Sequence, residues 1–293
     1  MRVSVVIPTF NRCFTLPQTL NSLLYQTHKE WELIIVDDGS TDETRKVIQP
    51  YITENIRYIR TPHRGTPYAW NLGVKKSKHN YVFLTGDDVI LHPSCLTMLT
   101  KAAQLVSDKH FGAIAPRLIY TADLANPDEE KADKKYAYID PCTGDIAGSF
   151  NITMKKIQEV PIIHGYSLVR KEAFLDIGGF DEKTYKGNYY REETDLWLRL
   201  KHKGYKLYYE PKAKIYCQKG LTKGGQWSNV KESLLVYEYY VLRNQKAFLK
   251  KFYGKKTYFM LPPFIIRRLF IRISQLLEKF LSPHEEDGNA LSP

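Results

Sequence analysis

Short runs of apolar, mostly β-branched residues recur along the first 120 positions, separated by more polar segments with helical periodicity. The runs lie at 3–7, 32–38, 56–60, 81–85 and 112–120. Runs of this length are typical of buried strands, and a recurrence of about 25 residues leaves room for a crossover helix between consecutive strands. The pattern predicts an α/β fold with a mostly parallel sheet flanked by helices.

Two segments between these runs carry helix signals. Segment 16–24 places four leucines at helical spacing. Ser40 and Glu43 have the spacing of a capping box, in which each side chain accepts a hydrogen bond from the backbone N–H of the other residue. A helix is therefore predicted to begin directly after Ser40.

Polar residues follow three of the predicted strands, at 8–12, 37–40 and 85–88. In open α/β sheets ligands bind beyond the carboxyl ends of the strands, so we expect these stretches to line one crevice. Asp87 and Asp88 would repel each other there, and a divalent cation with oxygen ligands, such as Mg²⁺ or Mn²⁺, readily holds two ionised carboxylates together. A solvated turn is the alternative reading of the pair.

Composition narrows the class of protein. A chain of 293 residues with 43% hydrophobic residues can bury a sizeable core, and a net charge of +11 indicates an anionic partner: nucleic acid, a phosphorylated small molecule or an acidic membrane. The four cysteines contain no C-x-x-C pair, so neither a zinc site nor a disulfide framework is predicted. We also expect no cleaved signal peptide, because Met1-Arg2 leads directly into a short, strand-like apolar run, and no membrane-spanning helix, because no run of 18 apolar residues occurs.

Five motifs, read together, resemble family 2 glycosyltransferases with the GT-A fold. They lie in the family's order and spacing at 3–12, 31–44, 69–93, 166–182 and 191–200. The resemblance covers about residues 1–220 and implies an inverting enzyme that takes a sugar from a nucleotide-diphosphate donor, with a metal ion at the aspartate motif. It divides the chain into a GT-A domain at 1–230 and a basic, amphipathic helical extension at 231–293. Within that domain, 1–120 would bind the nucleotide sugar, and 121–230 would bind the acceptor and carry the catalytic base.

The resemblance assigns the nucleotide-sugar contacts residue by residue. A carboxylate at Asp38 would contact the base, and because an ionised acid only accepts hydrogen bonds it suits a pyrimidine N–H, which favours a UDP-sugar. Trp70 stands where many relatives have arginine, so Arg64 is the alternative cation for the diphosphate. The implied nucleotide-sugar contacts are Pro8, Thr9, Asn11, Arg12, Asp37, Asp38, Arg64, Asn71, Gly86 and Asp87.

The family's D-x-D-D motif reads here as Thr85-Gly86-Asp87-Asp88, with threonine in place of the first acid. Asp87 and Asp88 would therefore share the metal and ribose contacts, and the implied cofactor is Mn²⁺ or Mg²⁺. Cys217 stands where many relatives place a histidine, and a thiolate is a poor ligand for Mg²⁺. The following segment 219–229, rich in glycine and lysine, has the composition of a lid or of an ordinary flexible loop.

Glu193 occupies the position of the family's general base, and Glu192 is the substitute if the backbone is shifted. Acids at the start of a helix can instead merely complement the helix dipole. His164, Gly165 and Asp195 are candidate acceptor contacts, although a lone histidine such as His164 is more often an ordinary core or surface residue.

The chain's positive charge is concentrated near its end. Residues 231–281 contain eleven Lys or Arg against three Glu, and 264–281 interleaves arginine with apolar residues as an interfacial amphipathic helix does. We expect a helix that begins at Pro262-Pro263 and binds an anionic membrane surface; packing on the domain or in a homodimer is the alternative. The expected location is cytoplasmic, attached peripherally to the cytoplasmic face of the membrane, near a glycan or lipid-linked acceptor.

Three other functions compete with this interpretation. A dinucleotide-dependent oxidoreductase is disfavoured because no G-x-G-x-x-G occurs. A nucleic-acid partner is not expected, since no RNA-binding or zinc-finger motif accompanies the basic residues. A degenerate glycosyltransferase that binds a nucleotide or glycan without turnover remains the main alternative, because Thr85, Trp70 and Cys217 depart from the family's pattern.

Overall fold

A computed structural model describes residues 1–106, 108–121, 133–218 and 234–281. The predicted lid at 219–229 lies outside these ranges. Every strand predicted from an apolar run is present, with its ends within two residues of the expected ones. The strands of the described part are β1 Val3–Thr9, β2 Trp31–Asp37, β3 Ile56–Arg60, β4 Tyr81–Leu84, β5 Val89–Leu91, β6 Phe111–Thr121, β7 Tyr138–Ile139, β8 Ile146–Ala147, β9 Gln158–Glu159, β10 Leu168–Arg170 and β11 Lys206–Gln218.

Nine of these strands form one central sheet in the order β3-β2-β1-β4-β10-β6-β11-β5, with β9 paired to β11. Strands β3, β2, β1 and β4 run parallel, as does the pair β6 and β11. Strand β10 is antiparallel to both of its neighbours, and β5 and β9 are antiparallel to β11. The α/β class is confirmed, and parallel pairing is concentrated in the half of the sheet built by the first four strands.

Helices cover both faces of the sheet and extend beyond it at the end of the chain. They are α1 Leu16–Leu24, α2 Thr44–Ile48, α3 Thr66–Lys76, α4 Cys95–Val106, α5 Lys171–Asp176, α6 Glu192–His202, α7 Leu234–Tyr253 and α8 Thr257–Leu281.

The predicted capping box is wrong. Helix α2 begins at Thr44, and Glu43 makes no capping hydrogen bond through its side chain. The Ser40 hydroxyl instead accepts a hydrogen bond from the Asn11 N–H at 2.9 Å, while Asp42 accepts one from the Thr44 N–H at 3.0 Å. Ser40 thus joins two loops at the sheet edge instead of starting a helix.

The core follows the alternation of side chains along the strands. Val3, Val5 and Ile7 of β1 point to the face covered by α1 and α4, whereas Val6 points to the face covered by α3 and α6. Both faces are therefore buried, and polar side chains concentrate at the carboxyl edge of the parallel strands.

The C-terminal extension is helical, as predicted, but α8 begins at Thr257 and contains Pro262 and Pro263 inside it. The prediction that these prolines start the helix is wrong, because packing of Met260 and Phe264 holds both sides of the proline pair in helical conformation. Within the described residues, no helix combines the length and apolar character needed to cross a membrane.

Candidate active site

A cavity of about 240 Å³ lies where β1, β2 and β4 end. The three polar stretches predicted to converge meet there, together with the start of α6. The cavity is lined by Pro8, Thr9, Phe10, Arg12, Asp38, His63, Thr66, Trp70, Gly86, Asp87, Asp88, Tyr166, Asn188, Tyr189, Glu192 and Glu193.

Asp87 and Asp88 follow β4, and the guanidinium of Arg12 lies against both. Arg12 Nε is 3.4 Å from Asp87 Oδ1, and Arg12 Nη2 is 3.8 Å from Asp88 Oδ2. Burial raises the pKa of Asp87 to about 7; the Arg12 charge opposes this rise and the Asp88 charge adds to it. Asp87 therefore lacks much of the stabilisation that an ionised carboxylate needs, and a further cation would supply it.

The aspartate pair fits a divalent ion that takes its remaining ligands from water and phosphate. In the described ranges no group of three or more His, Cys, Asp or Glu side chains is placed to hold a metal. Mg²⁺ is commonly held by one or two carboxylates together with substrate phosphates, so two acids suffice. Two of the positions that depart from the family's pattern lie close to the aspartate pair in the chain or in the sheet. Thr85 is fully buried, and Cys217 pairs across the sheet with Val89, the residue after Asp88.

Asp38 organises the loop that follows β3. Its carboxylate accepts hydrogen bonds from the N–H groups of Arg64 at 2.8 Å and Gly65 at 2.7 Å, and His63 Nδ1 lies 2.9 Å away. The His63 ring stacks on Phe10, with ring centroids 4.3 Å apart. Asp38 thus fixes an aromatic pair at the wall of the cavity.

Glu192 and Glu193 form the first turn of α6, after Arg191 in a left-handed conformation with φ of 81°. Burial raises the pKa of Glu193 to about 7, and a hydrogen bond from the Gly165 N–H opposes this rise. Burial and the Glu193 charge raise the pKa of Glu192 well above its ordinary value. Among the described residues, Glu192 Oε2 has no hydrogen-bond partner. Glu193 is therefore the one that ionises near neutral pH.

Gly165 is required by the position of Glu193. A Cβ atom at residue 165 would lie 2.0 Å from Glu193 Oε1, far inside contact distance. The absence of a side chain lets the Gly165 backbone approach and donate to the carboxylate. Gly165 is thus a neighbour of Glu193 itself, in addition to its predicted place near the acceptor.

A second cavity, of about 300 Å³, lies beside the two glutamates. It shares Asn188, Tyr189, Glu192 and Glu193 with the first cavity and continues toward Asp145. The glutamates therefore stand between two adjacent spaces, only one of which contains the aspartate pair.

The C-terminal helices hold the start of α6. Arg191 Nε donates to Gln245 Oε1 of α7 at 2.6 Å, and Arg191 Nη2 donates to Asp145 at 2.5 Å. Gln245 also donates to the Thr143 carbonyl at 2.8 Å. This network ties the residue before Glu192 to the extension and to the wall of the second cavity.

Three predicted site residues lie in the framework instead of in the cavity lining. The Asn71 side chain binds the Phe180 backbone, with Oδ1 accepting at 2.8 Å and Nδ2 donating at 3.0 Å. His164 is buried and its Nε2 donates to the Pro116 carbonyl at 2.8 Å; burial lowers its pKa to about 4. Asp195 is fully buried, 2.6 Å from Lys251 Nζ.

Three further predicted residues support the lining from behind. Asn11 Oδ1 accepts from the Thr41 N–H at 2.7 Å. Asp37 is fully buried, and its Oδ1 accepts from the Ser40 N–H at 2.7 Å. The Arg64 guanidinium lies over the Tyr68 ring, 3.9 Å from its centroid, so Arg12 is the cation that faces the aspartate pair.

The aromatic residues of the lining were not predicted from the sequence. Phe10 and His63 each follow a strand, at the edge of the sheet where ligands bind. That position could have identified them as lining residues. Tyr189 and Arg191 have φ of 52° and 81°, which residues with side chains rarely adopt. Such strain is visible only in the folded chain.

Comparison with known proteins gives a family for the first part of the chain. The sequence model described as "Glycosyl transferase family 2" matches residues 4–178. A poly-beta-1,6-N-acetyl-D-glucosamine synthase of Staphylococcus aureus is 25% identical over 233 residues, which are 77% of this chain and 52% of that protein. An uncharacterized glycosyltransferase of Rickettsia bellii is 39% identical over 93 residues, 31% of this chain and 14% of that protein. The chain thus spans at most about half the length of these curated relatives.

Solved structures show the same fold. GalNAc-T7 with UDP, GalNAc and Mn²⁺ aligns with a TM-score of 0.63 at 18% identity, over 75% of this chain and 44% of that one. Staphylococcus aureus TarS 1-349 aligns with a TM-score of 0.55 at 17% identity, over 90% of this chain and 71% of that one. TarS 1-349 was also solved in complex with UDP, and that structure aligns with a TM-score of 0.54. The likenesses confirm the expected GT-A fold.

Proposed function

Because the chain belongs to glycosyl transferase family 2, we propose that it is an inverting transferase that moves a sugar from a nucleotide-diphosphate donor to an acceptor hydroxyl. The observation that carries the proposal is that Asp87, Asp88 and Glu193 line one cavity at the carboxyl edge of the sheet. Sugar transfer needs neutralisation of the leaving diphosphate and removal of a proton from the attacking hydroxyl. The aspartate pair suits the first task, and Glu193 suits the second.

A UDP-sugar is the donor that we propose. Asp38 lies in the cavity lining, and a carboxylate there presents only hydrogen-bond acceptors, which suits a uracil N–H. The stacked Phe10 and His63 rings offer a flat wall for a base. The solved TarS and GalNAc-T7 structures that share this fold contain UDP, which supports the choice.

Asp87 and Asp88 would hold the proposed Mn²⁺ or Mg²⁺. When bound, such an ion offsets the charge of the departing diphosphate. Arg12 carries a permanent positive charge at the same place. It would contact a phosphate once Asp87 and Asp88 bind the metal ion. Asp87 and Asp88 must both be ionised to hold the metal ion. The raised pKa of Asp87 opposes its ionisation until the metal ion binds.

Glu193 is the proposed general base. Its pKa of about 7 makes it available as a proton acceptor at neutral pH, and the Gly165 N–H holds its carboxylate in place. Glu192, more deeply buried and without a partner among the described residues, is held neutral by its raised pKa. Glu192 therefore shapes the wall between the two cavities instead of taking the proton.

The acceptor would enter through the second cavity, which reaches the glutamates from the Asp145 side. We propose a glycan or lipid-linked acceptor in the synthesis of a surface polysaccharide or glycoconjugate. The name of the Staphylococcus aureus relative, a poly-beta-1,6-N-acetyl-D-glucosamine synthase, supports a polysaccharide product. The proposed location is peripheral, at the cytoplasmic face of the membrane, supported by the positive charge of the C-terminal region.

A donor screen tests the proposal. The purified chain is incubated with UDP-, GDP- and dTDP-sugars and Mn²⁺, and release of the nucleoside diphosphate is measured with and without short glycan acceptors. We expect release from a UDP-sugar, abolished in the double variant Asp87→Asn, Asp88→Asn and lowered by about 10²- to 10⁴-fold in Glu193→Gln. Saturable UDP binding with no turnover of any donor or acceptor would instead identify a binding protein with a degenerate site.

A further inference from the structure

The outward face of α8 is apolar along the whole described length of the helix. At about 100° per residue, its exposed large side chains fall on one side, opposite the buried Met260 and Phe264. These outward residues are between 55% and 82% exposed. They are Tyr258, Phe259, Ile266, Leu269, Phe270, Ile273, Leu276 and Leu277.

The arginines of α8 lie away from this face, contrary to the expectation that they would accompany it into a membrane surface. Arg268 and Arg272 both bind Glu238 of α7, with Arg272 Nε 2.7 Å from Glu238 Oε1. Arg267 lies 3.6 Å from Asp145. Because these ion pairs fix the rotation of α8 about its axis, the apolar side is the one left facing outward.

Unpaired positive charge lies at one end of the apolar face. Lys250, Lys255 and Lys256 are exposed and make no ion pair with any described residue. Only Thr257 separates Lys255 and Lys256 from the two most exposed aromatic residues of α8, Tyr258 and Phe259. Lysines beside exposed aromatic rings at the start of an apolar face are typical of helices that lie in a membrane interface.

A second copy of the chain fits this surface poorly. Residues 234–277 contain nine Lys or Arg and a single acid, Glu238, which is already engaged by two arginines. Two such surfaces would bring like charges together, with no exposed acid among residues 234–277 to offset them.

We infer that the outward face of α8 inserts into the headgroup region of an anionic bilayer, with Lys255 and Lys256 on lipid phosphates. The bilayer supplies both an apolar phase for eight side chains and the negative charge that the surrounding surface lacks. Helix α7, which carries Glu238 and Gln245, joins this face to the start of α6. The inference rests on the proposed function, because membrane binding would place the proposed active site beside a lipid-linked acceptor.

Vesicle flotation of the full chain tests the inference. The protein is mixed at low salt with phosphatidylcholine vesicles that contain or lack phosphatidylglycerol. We expect binding to the anionic vesicles only, released by high salt. The double variant Ile266→Glu, Phe270→Glu should bind at least about tenfold more weakly, and Lys255→Glu, Lys256→Glu should lose the salt-sensitive part.

The matched control is Leu105→Glu, which changes an equally exposed apolar residue of α4, 80% exposed and outside this face. It should bind vesicles as the unchanged chain does. Donor hydrolysis by the same samples reports the transfer reaction separately, so the two proposals fail independently. The inference is overturned if no vesicle is bound at low salt, or if light scattering shows a dimer that Ile266→Glu, Phe270→Glu converts to monomer without any vesicle binding.

Discussion

Arg191, the residue before the two glutamates of the proposed active site, donates a hydrogen bond at 2.6 Å to Gln245 of the C-terminal helix α7. Arg191 is held at φ of 81°, a conformation that persists only when surrounding contacts enforce it. The Arg191 side chain is almost fully buried, so Gln245 and Asp145 supply the contacts that stabilise its buried charge. Helix α7 therefore takes part in positioning the residues of the proposed active site.

Gln245→Leu should impair catalysis through this contact. Loss of the acceptor leaves a buried guanidinium less satisfied, which costs about 1–3 kcal/mol of stability, and a displaced Glu193 lowers kcat by about 10- to 100-fold. Gln245→Glu keeps an acceptor for Arg191 and should retain much more activity. Steady-state kinetics and urea unfolding measure the two effects; a folded Gln245→Leu variant with unchanged kcat would show that α7 does not position the base.

Gly165→Ala tests the close approach to Glu193. The added methyl would lie 2.0 Å from Glu193 Oε1, so the carboxylate must move. We expect kcat to fall about 100-fold, as for a misplacement of about 1 Å, while circular dichroism stays unchanged. In a Glu193→Gln background the same substitution should cost little more, since residues acting as a unit are not additive. Full additivity of the two losses would separate Gly165 from Glu193.

The aspartate pair should control the response to metal and nucleotide. UDP with Mn²⁺ should raise the Tm of the unchanged chain, because a ligand that binds only the folded state stabilises it. The double variant Asp87→Asn, Asp88→Asn should keep its fold and lose this shift. A Tm shift of equal size in the double variant would place the metal elsewhere.

Glu192→Gln should stabilise the protein at alkaline pH. Burial raises the pKa of Glu192 in the folded state, so its contribution to stability is complete below the unfolded value of about 4.3 and is lost as pH rises through the higher folded value. A glutamine stays neutral throughout. Thermal unfolding should show a higher Tm for Glu192→Gln than for the unchanged chain at pH 8.5, and similar values at pH 4. A lower Tm at pH 8.5 would mean that Glu192 is ionised and paired.

The sequence predicted the strands and the convergence of the acids because both depend on local patterns. An apolar run identifies a buried strand, and parallel strands bring their carboxyl ends to one edge. The sequence also placed Asp195 in the site as an acceptor contact, although Asp195 is committed to Lys251, 56 positions away in the chain. Likewise the direction of the arginines in α8 depends on Glu238, 30 residues earlier than Arg268. Residue type and spacing do not encode such distant partners.

The pH dependence of sugar transfer by Glu193→Gln tests the central claim most directly. With saturating Mn²⁺ holding Asp87 ionised, kcat/KM of the unchanged chain should rise as pH increases through about 7, where Glu193 loses its proton. Glu193→Gln should lower the rate by about 10²- to 10⁴-fold and remove this rise, whereas Glu192→Gln should keep it. A Glu193→Gln variant that retains both the rate and the pH-dependent rise, while Glu192→Gln loses them, would contradict the assignment of Glu193 as the base.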